Sequence, residues 1–179
     1  MEKKKKSLVV YFSHTRENYS VGSITVGNTA KVAAEIARQT GAETWEIKEV
    51  DAYPAAYDEC VARAKKEKQS AARPAYQGTA PDLSEYDVVY LGYPNWWNDA
   101  PMVVYTFLDS ASVDGKRILP FCTHEGSGLG STARNLAKAY PNANVEQNGM
   151  ALRGATAQND ANAVAETVAK QLKAWGIDK

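Results

Sequence analysis

The chain has 179 residues, of which 44% are hydrophobic and 23% are charged, and these proportions suit one globular domain with a substantial core. Its formal net charge is zero, but Glu2 and Lys3 to Lys6 contribute a net +3, so the rest of the chain carries −3. A mildly acidic body offers no electrostatic footprint for nucleic acid, which excludes nucleic-acid-binding proteins from the expected classes.

The sequence predicts a single domain over residues 1–179. Its first predicted element is a basic, disordered tail over residues 1–6. The apolar run after the tail, LVVYF, is too short for a secretory core, and no later segment approaches the roughly 20 apolar residues of a membrane span. Cys60 and Cys122 lie in unrelated contexts, which predicts reduced thiols with packing roles rather than a disulfide or a metal cluster. We therefore expect a cytoplasmic protein that does not bind membranes.

After the tail, short β-rich runs alternate with longer stretches of helical pattern. Nearly continuous apolar runs in the first, third and fourth strand candidates indicate strands that are covered on both faces. Five strands alternating with five helices predict an α/β fold, a doubly wound parallel sheet with helices on both faces. The strand candidates are SLVVYF (7–12), TWEIKEV (44–50), YDVVYLGY (86–93), KRILPFCT (116–123) and NVEQNGMALRG (144–154). The helix candidates are NTAKVAAEIARQT (28–40), PAAYDECVARAKKEKQSA (54–71), PMVVYTFLDSA (101–111), GSTARNLAKAY (130–140) and DANAVAETVAKQLKAWG (160–176).

The loop after the first strand, residues 13–33, is a candidate anion site. In such a sheet a ligand binds beyond the carboxyl ends of the strands, so the loops after the first, third and fourth strands matter most. Hydroxyl groups and a glycine precede a helix whose first-turn amides point back at the loop, which suits a phosphate. An ordinary helix cap beneath a long surface loop is an equal alternative. The candidate residues are Ser13, Thr15, Gly27, Asn28 and Thr29.

The loop after the third strand, YPNWWNDAP (93–101), contains two adjacent tryptophans among prolines and asparagines. Trp96 and Trp97 could each offer a flat face to a planar heteroaromatic ligand. The alternative is that one tryptophan fills the core and the other pins the loop. The position of the pair in a loop at the ligand-binding edge of the sheet favours a ligand.

The loop after the fourth strand, THEGSGLGSTARN (123–135), is rich in glycine. Its glycines allow the backbone to approach a flat ligand and to turn amides inward. His124 and Glu125 raise the alternative of acid–base chemistry, although a lone histidine more often has a structural hydrogen-bonding role. Together the three loops indicate a phosphorylated, planar, redox-active ring system. The sequence lacks the glycine fingerprints of P-loop and dinucleotide-binding domains.

The sequence from Leu8 to about Trp175 resembles the flavodoxin-like family, in particular bacterial flavodoxins with an extended phosphate loop. The resemblance implies a five-stranded sheet in the order 2-1-3-4-5 that binds FMN non-covalently. The segments SHT (13–15) and GNT (27–29) resemble the family's phosphate loop, YPNWW (93–97) resembles the loop on one flavin face, and THEGSG (123–128) resembles the loop on the other side. The implied cofactor-binding residues are Ser13, His14, Thr15, Gly27, Asn28, Thr29, Tyr93, Pro94, Asn95, Trp96, Trp97, Asn98, Thr123, His124, Glu125, Gly126, Ser127 and Gly128.

Three departures from the family pattern qualify this resemblance. Residues Arg16 to Val26 separate the two halves of the phosphate loop, so the chain must fold back, and the inserted segment is either a lid or a partner surface. Asn98 stands where relatives often have glycine, and because asparagine tolerates left-handed backbone geometry the turn is expected to persist. A body charge near −3 steers basic partners only weakly, in contrast to strongly acidic electron-carrier flavodoxins.

Three functions are compatible with these residues. The leading expectation is an FMN-binding electron carrier without catalytic side chains or a metal, whose partners are redox proteins or a small quinone-like acceptor. The second is an FMN-dependent NAD(P)H:quinone oxidoreductase in which His124 or Tyr93 protonates the product. The third is a flavodoxin-like binding module without flavin. We expect a monomer or a weak dimer.

Overall fold

The computed structural model describes residues 6–18 and 21–177. Of the predicted basic tail, only Lys6 lies among these residues, and two positions of the inserted segment, Tyr19 and Ser20, lie outside them. The described strands are β1 (Ser7–Phe12), β2 (Arg16–Asn18), β3 (Gly22–Ile24), β4 (Glu43–Ile47), β5 (Val88–Pro94), β6 (Arg117–His124), β7 (Asn144–Val145) and β8 (Met150–Arg153). The helices are α1 (Asn28–Thr40), α2 (Tyr57–Gln69), α3 (Met102–Ser110), α4 (Thr132–Ala139), α5 (Gly154–Asn159) and α6 (Ala161–Ala174), with a 3₁₀ turn at Leu83–Glu85.

The main sheet is parallel throughout and runs β4-β1-β5-β6, with β7 and β8 both pairing with the outer side of β6. When β7 and β8 are counted as the fifth strand, this is the predicted order 2-1-3-4-5. The doubly wound α/β fold is therefore confirmed. The inserted segment forms a separate antiparallel hairpin, β2–β3, between β1 and α1.

The prediction of one continuous fifth strand over 144–154 is wrong. β7 pairs with the start of β6 and β8 with its end, while residues 146–149 interrupt them. Pro120 of β6 lies opposite this gap. The amides of Asn144 and Glu146 donate to the carbonyls of Lys116 and Ile118, so the even-numbered residues of β6 face β7 and β8. Because proline has no N–H, the ladder has no donor from β6 at that point.

The helices match the predicted positions, with one addition. α1 has the predicted bounds, whereas Gly154, predicted as the end of a strand, begins the short helix α5 that sequence reasoning missed. The helical pattern from residue 160 onward is confirmed as α6, where the Asp160 carboxylate accepts a hydrogen bond from the amide of Ala163. None of the helices in the described part of the chain combines the length and apolar character that a membrane crossing requires.

The sheet is covered on both faces, as its apolar strands predicted. Successive side chains of a strand point to opposite faces. In β1, Val9 packs with α1 and α6, whereas Val10 and Phe12 pack with the cluster that includes α3, and all three are 0% exposed. Helices on both sides therefore hold the sheet in place, and the loops at its carboxyl edge start from fixed positions.

Replacing Gly92 of β5 with Ala should lower the free energy of unfolding by about 1–3 kcal/mol, because the added group would overpack the core. A Cβ at this position would lie 2.2 Å from Cζ of Phe121, whose side chain is fully buried. Chemical denaturation measures the difference. In a Phe121→Leu background the same substitution should cost clearly less, and an equal cost in both backgrounds would contradict this cause.

Candidate functional site

A cavity of about 410 Å³ opens at the carboxyl edge of the sheet, where β1, β5 and β6 end. A volume of this size suits a small-molecule ligand. The three loops singled out in the sequence form most of its wall, and α2 forms the rest. The lining residues are His14, Asn18, Asn28, Tyr57, Cys60, Val61, Ala64, Pro94, Asn95, Trp96, Trp97, Thr123, His124, Glu125, Gly126 and Ser127.

The two halves of the predicted phosphate loop meet in space. Gly27 precedes α1 and has no side chain to cap the helix, and Ser13 performs that role by accepting a hydrogen bond on Oγ from the amide of Ala30 at 3.0 Å. A Cβ on Gly27 would lie 2.0 Å from Oγ of Ser13 and 2.8 Å from the carbonyl oxygen of His14. The predicted fold-back of the chain is thus confirmed, and only glycine fits at this junction.

The polar side chains at the start of α1 have different positions. Asn28 lines the cavity, and its Oδ1 accepts a hydrogen bond from Gln158 of α5 at 2.8 Å. Thr29 is 1% exposed and its hydroxyl is hydrogen-bonded to that of Thr123 at 2.9 Å, behind the cavity wall. Thr15 is exposed and, like Ser13, Gly27 and Thr29, is not a lining residue.

The tryptophan loop forms a tight turn with unusual backbone geometry. The amide of Trp96 donates to the carbonyl of Asp99 at 2.9 Å, and the amide of Asp99 donates back at 3.2 Å. The two residues inside the turn, Trp97 and Asn98, have φ values of 57° and 61°. Asn98 therefore adopts the left-handed backbone conformation that asparagine was expected to tolerate. A bulky residue such as Trp97 rarely adopts a left-handed conformation, and surrounding contacts must hold it there.

Contacts with α2 and α4 hold this turn. The indole Nε1–H of Trp97 donates to the carbonyl of Val61 at 3.2 Å, and the ammonium group of Lys68 donates to the carbonyl of Trp97. On the other side, Nδ2 of Asn98 donates to Oγ of Ser131 at 2.7 Å, and the amide of Ser131 donates to Oδ1 of Asn98 at 3.2 Å. The turn is therefore bracketed between two helices.

Trp96 and Trp97 line the cavity in different ways. Trp96 is half-buried and stands edge-on to Phe12, His14 and Tyr53, with ring centroids 5.5, 5.7 and 4.9 Å away. Trp97 is 44% exposed. Trp96 therefore packs against the core and Trp97 pins the loop, as the structural alternative expects, and both also line the cavity, so contact with a ligand stays a prediction.

The glycine-rich loop is tied to the tryptophan loop and shapes the opposite wall. Nδ2 of Asn95 donates to the carbonyl of Gly128 at 2.8 Å. Gly126 and Gly128 have φ values of 135° and 63°, which side-chain-bearing residues rarely adopt. The amide of Gly126 donates to Nδ1 of His124 at 2.9 Å, and burial, followed by the charge of Arg153, lowers the pKa of His124 below its usual value.

Tyr93 does not contribute its side chain to the cavity. Its ring is 0% exposed, its hydroxyl donates to Oγ1 of Thr132 at 2.9 Å, and burial raises the pKa of that hydroxyl. Pro94, next along the strand, lines the cavity, as the alternation of side chains in a strand requires. Asn98 and Gly128, also predicted as site residues, support the wall without lining it.

Sequence reasoning missed one wall of the cavity, the face of α2 formed by Tyr57, Cys60, Val61 and Ala64. Their spacing of three, one and three residues is that of a single helical face, which was the available signal. Burial raises the pKa of Cys60 to about 11 and that of Cys122 to about 12, which suits unreactive thiols. Among the described residues, no group of His, Cys, Asp and Glu is placed to hold a metal ion.

A family model described as flavodoxin matches residues 6–168. The chain belongs to the flavodoxin family. It is similar to the crystal structures of two candidate flavoproteins. That from Bacteroides uniformis ATCC 8492 is 31% identical, with a TM-score of 0.76 and 96% of this chain and 99% of that chain covered. That from Bacteroides eggerthii DSM 20697 is 28% identical, with a TM-score of 0.77 and 98% and 100% covered.

A more distant likeness supports the flavodoxin fold alone. The flavoprotein of Lactobacillus acidophilus NCFM, crystallised in complex with FMN, is 22% identical, with a TM-score of 0.64 and 85% of this chain and 95% of that chain covered. Comparison with curated proteins gave no match.

Two substitutions of Asn98 test how the turn of this flavodoxin is held. Asn98→Ala should be less stable than Asn98→Gly by about 1 kcal/mol, because both lose the bonds to Ser131 but only alanine resists a φ of 61°. Denaturant titration of the variants measures the difference. Equal stabilities would contradict a left-handed backbone at this position.

Proposed function

We propose that this flavodoxin binds FMN in the cavity and transfers electrons. The observation that carries the proposal is the meeting of a helix N-terminus, two tryptophans and a glycine-rich loop around one cavity of suitable volume. The crystallised complex of the Lactobacillus acidophilus flavoprotein with FMN is consistent with it. When bound, FMN supplies the one- or two-electron chemistry, so the protein itself needs no catalytic side chain.

The junction of Ser13, Gly27 and α1 fits the phosphate of FMN. The first-turn amides of α1 and the positive end of its dipole favour an anion, and the hydroxyl of Ser13 adds a polar group without charge. A Cβ on Gly27 would collide with Ser13, so the backbone is bare at this point, and the next residue, Asn28, lines the cavity. These neutral donors suit a phosphate whose charge is stabilised mainly by the amides and the dipole at the start of the helix.

The tryptophan and glycine loops fit the ring system. Trp96 and Trp97 provide apolar aromatic surface for a flat ligand, and such contacts stabilise stacked bases by about 1–3 kcal/mol each. The loop from Thr123 to Gly128 offers backbone amides and side chains for the polar edge of a ring. Here the residues of the chain bind, orient and exclude water, and these effects set the potential at which electrons are transferred.

A second candidate function, the FMN-dependent NAD(P)H:quinone oxidoreductase, is favoured by one observation. The wall formed by Tyr57, Val61 and Ala64 adds apolar surface beyond the three loops, which would suit a second planar molecule. Because Tyr93 is buried and donates its hydroxyl hydrogen to Thr132, His124 is the remaining candidate for a polar role toward such a substrate. The proposed partners are accordingly a redox protein or a small quinone-like acceptor.

The purified protein should show a flavin absorption band or take up FMN in a fluorescence titration. Replacing Gly27 with Ala should weaken FMN at least tenfold and riboflavin far less, because the added methyl group disturbs only the phosphate junction. Ser13→Ala, which removes a hydroxyl without adding bulk, is the matched control and should cause a smaller loss. Equal losses of FMN and riboflavin affinity would contradict the phosphate position, and no uptake of any flavin would contradict the proposed function.

Steady-state oxidation of NADH and NADPH with a quinone acceptor separates the carrier from the reductase. A carrier should give no turnover above that of free FMN at equal concentration. Turnover above that level would favour the reductase, and Ala64→Leu should then reduce it, because the larger side chain fills the α2 wall of the cavity. Titration with FMN would show whether that variant still binds the cofactor.

A further inference from the structure

The hydrogen bond between Gly126 and His124 determines where the proton of the imidazole ring lies. A backbone N–H can only donate, so Nδ1 of His124, 2.9 Å from the nitrogen of Gly126, must accept with its lone pair. In a neutral histidine the proton is then on Nε2. The ring has one defined tautomer, with an N–H donor on the side away from Gly126.

The surroundings of His124 also oppose a positive charge on the ring. Arg153 is paired in register with His124 across β6 and β8, and its guanidinium nitrogens lie 3.8 and 3.9 Å from where a Cβ on Gly126 would stand. This charge and the partial burial of the ring both lower the pKa of His124. The neighbouring Glu125 is directed elsewhere, with Oε1 only 2.2 Å from where a Cβ on Gly154 would stand.

The ring of His124 faces the cavity from the side opposite to α1. Thr123 points toward α1, where it bonds to Thr29, and the next residue in a strand points to the other face. His124 lines the cavity, and within residues 6–18 and 21–177 its Nε2 has no hydrogen-bond partner. A neutral donor is therefore presented to whatever occupies the cavity.

We propose that His124 recognises the ring edge of the bound flavin as a neutral imidazole, donating a hydrogen bond from Nε2–H to an acceptor atom of the heterocycle. The proposal rests on the proposed FMN binding and assigns a specificity-determining contact to a side chain of the third loop. It differs from two other roles. A cation that binds the phosphate would need the positively charged imidazolium. An acid that protonates a substrate would need it too, because imidazolium carries protons on both nitrogens, and Nδ1 cannot carry one while it accepts from the amide of Gly126. A neutral imidazole held in one tautomer is an established type of catalytic and binding donor.

The first test reads the tautomer in the flavin-free protein, so it does not depend on the proposed function. The chain has two histidines, and ¹⁵N NMR of histidine-labelled protein, assigned with a His14→Gln variant, resolves both. We expect His124 to carry its proton on Nε2 at pH 7 and to titrate below the usual histidine pKa. A proton on Nδ1, or titration at or above the usual pKa, would overturn the proposal. On addition of FMN, the Nε2–H signal should shift, and an unchanged signal in a protein that binds FMN would also overturn it.

The second test compares two variants by titration with FMN and riboflavin. His124→Phe keeps a flat ring without a donor and should weaken both ligands by about 3- to 10-fold, because the lost contact is to the ring that they share. His124→Gln keeps a neutral donor and should retain most of the affinity. An unchanged affinity in the Phe variant, or a loss confined to FMN, would overturn the proposal, the latter by indicating a phosphate contact. Thermal unfolding without flavin shows whether each variant is folded, and failure of the parent protein to bind flavin would refute the proposed function while leaving the tautomer result in place.

Discussion

The hydrogen bonds of Thr123, at the end of β6, connect the three loops of the site. Its hydroxyl pairs with that of Thr29 at the start of α1, and its carbonyl accepts from the amide of Asn95, which extends the β5–β6 ladder into the tryptophan loop. Thr123 itself begins the glycine-rich loop and is 3% exposed. Because a buried hydroxyl without a partner is costly, this arrangement fixes the three loops relative to one another. The cavity lies between these three loops, so its shape depends on how they are fixed.

The tryptophan loop shows how a locally unfavourable conformation is maintained. A tryptophan in the left-handed conformation destabilises the fold by on the order of 1–3 kcal/mol. The residues of the turn do not offset this free energy by themselves. The carbonyl of Val61 and the ammonium of Lys68 hold Trp97 from α2, while Ser131, which directly precedes α4, holds Asn98. These helices lie on the same side of the sheet, so the aromatic wall depends on how they pack as much as on its own residues.

The cavity is surrounded by oriented neutral groups. At the N-terminus of α1 the amide of Ala30 donates to the hydroxyl of Ser13, and in the third loop the amide of Gly126 donates to Nδ1 of His124, whose pKa is lowered by burial and then by the charge of Arg153. Fixed dipoles of this kind stabilise a ligand without the desolvation cost of a buried charge.

By itself, the sequence determined the fold and the edge of the sheet at which the cavity opens, because both follow from local patterns. Apolar runs marked β1, β5 and β6, and helical spacing marked α1. The site residues predicted from the loops after these strands include eleven of the sixteen residues that line the cavity, and the other five are the four on α2 and Asn18 of β2. Tertiary structure decided the rest. Contacts between residues far apart in the chain decide which side of β6 lacks a donor at Pro120 and whether Tyr93 faces the core. They also decide which face of α2 meets the cavity and which hydrogen bond the ring of His124 accepts. The periodicity of the sequence does not predict those contacts, because they form only when the sheet and helices pack together.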